Sequence, residues 1–345
     1  MLSTLPLEKR WTARRIFHIA ALVVATCLPG CRAPDAVERD GSASVSAKSK
    51  RDDGPGLRDV SGLAHYHGNL FLVVHDTDRE SDRPRIGALA VKKKSPPAYR
   101  PLDVDWTRVG GVPDDLESMC PIPGVSNEFL VVESGDGDKR PARAIRLWLT
   151  GMRLTDVRAQ VAGKIDLPED VRNIEGSTLI PGPDGKLVLV LCERDEQGDE
   201  SERHTLLLWA GIDLDGYRLD EPLHRTAVHA PVWPVGPAKV RTCSDLFYEA
   251  EADGGPRLWI AATADPGGVG PYQSIVYEAR VAQHDLARPE GLTMRAAWRV
   301  DGFKVEGLAA PLLPGAGLSM VTDEDSLGGV FRALPPPTFP DDGGR

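Results

Sequence analysis

The chain has 345 residues, a formal net charge of −10 and a hydrophobic fraction of 41%, with 35 glycines and 29 prolines. The four basic residues of the first thirty stand against Glu8 alone, which leaves −13 on residues 31–345. A phosphate backbone would be repelled by that balance, so a nucleic-acid partner is excluded as an expectation.

In chain order, the first element is a targeting segment. Lys9, Arg10, Arg14 and Arg15 precede an apolar stretch from Ile16 to Leu28, too short to span a bilayer and of the length of a signal-peptide core. Leu28-Pro29-Gly30-Cys31 follows and resembles the lipobox of bacterial lipoproteins. That resemblance implies cleavage after residue 30, lipid on Cys31 and a membrane partner through the anchor. Arg32 after the cysteine, where inner-membrane retention uses Asp, implies the outer membrane of the cell envelope. Residues 31–56 are polar and lack apolar periodicity, and read as a disordered tether. The segment 335–345 reads as a flexible tail.

Residues 57–334 carry an imperfect repeat. Val60-Ser61-Gly62-Leu63, Leu116-Glu117-Ser118-Met119, Ile174-Glu175-Gly176-Ser177, Ser244-Asp245-Leu246-Phe247 and Val305-Glu306-Gly307-Leu308 share one pattern around positions 61, 117, 175, 245 and 306. Each is followed by an apolar run ending in polar residues at Asp76, Glu133, Glu193, Asp265 or Asp323. A third apolar run closes each copy, and helical periodicity is nearly absent. Several strands per unit at such a period predict an all-β fold, a single β-propeller of five blades. A sixth blade could come from the interval 195–243, or from residues 57–60 joined to the C-terminus. Two β-sandwiches are the alternative. Trp148, Trp209 and Trp259 are expected between blades.

The phrases DLESM…FLVVES, NIEGSTLIPGPDGKLVLVLCERD and KVEGLAAPLLPGAGLSMVTDEDSLGGVF resemble bacterial propellers described as having esterase-like activity of the phytase type. More distantly they resemble calcium-dependent lactonase propellers. The resemblance implies a metal-dependent hydrolase of a phosphoester, ester or lactone. A non-catalytic binding or scaffold propeller is the competing reading, because propellers host both.

In a propeller the two acid-bearing loops of each blade share one face. Glu117, Glu175, Asp245 and Glu306 then meet Glu133, Glu193 and Asp323, with Asp76 and Asp265, around one mouth of the channel. So many carboxylates need a neutralising cation, and calcium tolerates an irregular oxygen set. Pinning of neighbouring blades through backbone N–H groups is the alternative role for these acids. His75, beside Asp76, is the candidate catalytic base; Arg194 and Arg241 are candidate anion clamps. Cys120, Cys192 and Cys243 allow at most one disulfide, whose pairing the sequence leaves open. No serine-nucleophile, Walker or zinc-protease motif is present.

Overall fold

The computed structural model describes residues 57–339 apart from 78–80, 136–140, 183–184, 195, 198–202, 236–239, 251–254, 268–269, 281–291, 313–314, 326–327 and 338. The signal segment, Cys31 and the tether therefore lie outside the described residues.

Five antiparallel sheets form the five blades of a propeller. Blade 1 holds β1 (Val60–His67), β2 (Leu70–His75), β3 (Ile86–Lys92) and β4 (Ser95–Leu102). Blade 2 holds β5 (Leu116–Pro121), β6 (Glu128–Glu133), β7 (Arg143–Thr150) and β8 (Arg158–Asp166). Blade 3 is built from β9 (Ile174–Pro181), β10 (Leu187–Glu193) and β12 (Thr205–Asp213), with β13 (Arg218–Leu219) and β14 (His224–Val228) outside. Blade 4 contains β15 (Val240–Glu249), β16 (Arg257–Ala264), β17 (Gln273–Arg280) and β18 (Thr293–Asp301), and β11 (Glu196–Gln197) adds to its inner edge. Blade 5 has three strands, β19 (Val305–Ala309), β20 (Ser319–Thr322) and β21 (Phe331–Ala333). Among the described residues there is no α-helix, and a 3₁₀ turn lies at Thr107–Val109. The interval 195–243 supplies outer strands of blade 3 and the inner-edge strand of blade 4, so it hides no sixth blade.

The inner strands touch in the order β1, β5, β9, β15, β19 and back to β1, which closes the ring and rules out two sandwiches. Each blade buries both faces, and strand periodicity divides its side chains between two neighbours. In β10, Leu189 and Leu191 join the core shared with blade 2, while Val190 and Cys192 join the core shared with blade 4. In β2, Leu72 and Val74 pack towards blade 2, while Phe71 and Val73 pack towards blade 5. This is why the runs LVLVLC and FLVV are continuously apolar: two half-buried patterns are superimposed. Trp259 is buried and Trp209 stacks on His224, but Trp148 is 43% exposed and takes no part between blades.

The glycine of the repeat has a steric cause. A Cβ on Gly176 would stand 2.7 Å from the Leu246 nitrogen, and one on Gly307 would stand 2.8 Å from the Leu63 nitrogen. Adjacent inner strands approach through that missing side chain.

Two further contacts consolidate the ring. A disulfide joins Cys192 of blade 3 to Cys243 of blade 4, leaving Cys120 as a buried thiol. With the cysteines 51 positions apart in sequence, the chain-entropy account gives about 4 kcal/mol of stabilisation. The tail reading is also amended: the Pro335 carbonyl accepts the Trp298 indole N–H, and Arg295 lies over the Phe339 ring.

Candidate functional site

The sequence builds the site from the starts of the inner strands and the ends of the second strands. In blades 1, 2 and 3 a residue at that start turns the chain through the left-handed region: Asp59 at φ 52°, Asp115 at 61° and Asn173 at 51°. Asp and Asn tolerate that conformation better than other side-chain-bearing residues. Their carbonyls accept the N–H groups of Asp76, Ser134 and Arg194, and Lys304 O does the same for Asp323. The two loops of a blade are thereby tied together on one face.

Asp76, Asp115 and Glu117 form the tightest group, with carboxylate oxygens all within 4.8 Å of one another. Asp115 comes from outside the motif's central positions, two residues before Glu117. The Asx position repeated at 59, 115 and 173 was the sequence signal for it. Desolvation pushes Asp115 up, yet hydrogen bonds from Asp76, Glu117 and Ser134 outweigh it and hold the carboxyl below its usual range. Glu117 is driven well above the carboxylate range by burial and then by the charges of Glu175, Asp76 and Asp115. Asp76 is pushed up to about 8 by desolvation and by Asp115. It keeps an exposed surface at the lip, where water screens part of the desolvation, which leaves the hydrogen bond to Asp115 as the firmer cause. One carboxylate thus lies between two proton-bearing acids.

Behind this triad, Glu175 is buried and raised to about 7, mainly by desolvation against the pull of Arg241 and Arg194. Its Oε1 is 3.1 Å from Arg194, and Arg241 reaches both Glu175 Oε2 and Glu306 Oε1 at 3.6 Å and Asp265 at 2.9 Å. Arg194 and Arg241 are therefore internal counter-charges for the ring acids. A cavity of about 410 Å³ opens at this mouth, lined by Arg58, Asp59, Asp76, Arg83, Arg241, Lys304, Asp323 and Asp325. Asp323 is 8% exposed, its Oδ1 lacks a hydrogen-bond partner, and desolvation raises it to about 7.

Several expected site residues stand elsewhere. His75 is 3% exposed; its Nδ1 lies 2.8 Å from the Arg58 carbonyl and its Nε2 2.9 Å from the Tyr99 hydroxyl. The carbonyl can only accept, which places the proton on Nδ1 and makes Nε2 the acceptor from Tyr99. Burial lowers its pKa. Both nitrogens of His75 are thereby engaged within blade 1. Glu133 is buried against Arg143 and accepts the Asp114 N–H at 2.9 Å, which ties it to the backbone one residue before Asp115. Glu193 is 3.9 Å from Arg225 at the rim.

Asp245 is displaced by register. In blades 1, 2, 3 and 5 one residue bulges at the start of the inner strand, at Ser61, Glu117, Glu175 and Glu306. In β15 the pairing steps from Arg241↔Thr263 to Asp245↔Ala261, a longer irregularity. Ser244, donating to the Val305 carbonyl, then matches Ser61, donating to Leu116. Asp245 falls one place further and accepts the Leu308 N–H at 2.5 Å. It pins blade 4 to blade 5, and Arg241 enters the cluster from blade 4 in its stead.

The three carboxyls of the triad, with Glu175 Oε2 lacking a hydrogen-bond donor behind them, suit a hard cation that prefers oxygen ligands.

No protein-family model matches the chain, and no curated protein matches it in sequence. Among solved structures it is similar to a xylan β-1,4-xylosidase from Bacillus halodurans C-125, at TM-score 0.47 and 11% identity over 84% of this chain and 54% of that one. It is also similar to an α-L-arabinanase of Cellvibrio cellulosa, at TM-score 0.47 and 12% identity over 81% of this chain and 91% of that one. An endo-1,4-β-xylanase from Bacteroides thetaiotaomicron VPI-5482 gives TM-score 0.49 and 9% identity over 80% and 89%. The chain spans about half the length of the xylosidase. Likeness at this level assigns neither activity nor substrate to the chain.

Proposed function

We propose that this chain is a lipid-anchored envelope propeller that binds a divalent cation, calcium by its donor set, at Asp76, Asp115 and Glu117, and hydrolyses a phosphoester in preference to a neutral ester or lactone. The carrying observation is the juxtaposition of that triad with a cavity of about 410 Å³ whose wall includes Arg58, Arg83, Arg241 and Lys304. Arg83 is tied to Asp59, and Arg241 and Lys304 to ring acids. Arg58 has no carboxylate partner among the described residues and faces the cavity, where it can hold an anionic group.

A bound cation would supply polarisation of the scissile group's oxygen. The chain supplies the rest. Asp115 is held ionised, Arg58 orients the anion, and Asp323, which lines the cavity and is raised to about 7, accepts a proton from water there. Asp323 thus takes the role the sequence offered to His75.

The full chain, stripped with chelator, should bind calcium in a calorimeter and then release phosphate from an aryl phosphate, with Asp323→Asn lowering kcat about a hundredfold or more as general-base removal does. Absence of both heat and thermal shift would remove the cation. Binding without turnover on aryl phosphates, esters and lactones would leave a non-catalytic binding propeller.

The anchor rests on the signal segment and LPGC, and the Cys192–Cys243 bridge supports an oxidising compartment. Fatty-acid labelling in cells should mark the wild type and not Cys31→Ser; equal label in both would refute lipidation at Cys31.

A further inference from the structure

On the side of the mouth built by blades 4 and 5, an ammonium group occupies a nest of carboxylates. Lys304 Nζ lies 3.1 Å from Glu306 Oε1, 3.1 Å from Asp325 Oδ1 and 3.6 Å from Asp265 Oδ2, and its side chain is 7% exposed. The acids come from three chain segments: the start of β19, the loop after β20 and the loop after β16. Tyr272 donates to the other oxygen of Asp325 at 2.9 Å, which turns Oδ1 towards the lysine. Asp323 projects into the same cavity with a buried Oδ1 that nothing satisfies. The arrangement is an oxygen-rich cation site in which a side chain already stands.

We propose that Lys304 is a tethered counter-ion filling a second, latent cation position, so that the channel mouth takes one divalent ion where its carboxylates could otherwise hold two. The inference rests on the cation reading above only for the choice of probe ion. An ammonium carries one charge and is fixed by its own chain, so no ion need be captured from solvent on that side. The N···O separations of 3.1–3.6 Å would have to contract to about 2.3–2.6 Å around calcium, which carboxylate side chains accomplish by small rotations. Removing the ammonium leaves Glu306 and Asp265 with Arg241 as a counter-charge and takes the Lys304 charge from beside Asp325 and Asp323. Buried charges so exposed must take up protons or recruit a cation.

The test is calorimetric titration of CaCl2 into the chelator-treated full chain, wild type against Lys304→Met, Lys304→Gln and Lys304→Arg, with circular dichroism for folding. The expected stoichiometry is one for the wild type and Lys304→Arg and two for the Met and Gln variants. A stoichiometry of one in folded Met and Gln variants overturns the proposal while leaving the triad intact. None in the wild type and one in those variants removes the triad site and upholds Lys304 as the tethered ion; none anywhere overturns both. Should Lys304→Met fold only when CaCl2 is present, the ion has replaced the ammonium, as proposed; failure of both neutral variants to fold with or without CaCl2 overturns it.

Discussion

Replacing Asp115 by Asn is expected to weaken calcium binding about a hundredfold and to abolish the calcium-induced rise in melting temperature, with little change in the ion-free fold. Asp115 is the carboxylate on which Asp76 and Glu117 converge, so the substitution removes the one charge held ionised at the centre of the triad. Asn keeps the left-handed backbone at φ 61°, which Ala would strain. The variant therefore separates loss of charge from loss of shape. At 1.4 kcal/mol per tenfold, the expected loss is about 2.8 kcal/mol of binding free energy. Calorimetry on the full chain measures it. Unchanged affinity in Asp115→Asn would move the cation out of the triad.

The second large effect is on pH. Folding raises Asp76 to about 8, Glu175 and Asp323 to about 7, and Glu117 well above its ordinary value. A carboxyl whose pKa rises on folding holds its proton longer in the folded state, so its contribution is complete below the unfolded value near 4 and is lost as pH climbs to the folded value. The calcium-free protein should accordingly lose melting temperature between pH 5 and pH 8. His75, lowered by burial, works in the opposite direction below pH ~6.5 and is outnumbered by the raised carboxyls. Calcium should flatten the slope by taking the place of those protons, its affinity rising towards pH 8. Titrations in buffers of different ionisation enthalpy should show proton release on binding. A calcium-free melting temperature that rises from pH 5 to pH 8, or binding without proton release, would contradict the shared-proton triad.

Much of the ring was legible as text because its cause is local. A blade strand buried on both faces must be apolar at every position, and LVLVLC in β10 and FLVV in β2 say so directly. The glycine at 62, 176 and 307 marks the close approach of inner strands in three blades, and the wider motif around positions 61, 117, 175, 245 and 306 counts all five. Glu117, Glu175 and Glu306 belong to the same local signal, since each bulges at the start of an inner strand on one face. Asp245 shows where that reasoning stops. Its string of letters fits the motif, but a longer irregularity in β15 shifts it by one place, and in a strand one place exchanges one set of neighbours for another.

What the sequence alone determined is the all-β ring of repeated blades and the crowding of acids at one mouth, because strand periodicity and turn chemistry act within a few residues. Tertiary structure decided which acids share protons, which are neutralised, and which are structural. Asp115 joins Asp76 across two blades, Lys304 meets Asp265 and Asp325 from three segments, and Cys192 meets Cys243 across a separation of 51 residues. Those pairings depend on distances closed only when the ring closes. His75 gives the same lesson from the other side: its neighbour in sequence is a triad acid, but its partners, Arg58 and Tyr99, are set by the packing of blade 1 and consume both ring nitrogens. Desolvation and Coulomb coupling, which turn a carboxyl into a proton store or a ligand, are properties of that closed geometry and not of the order of residues.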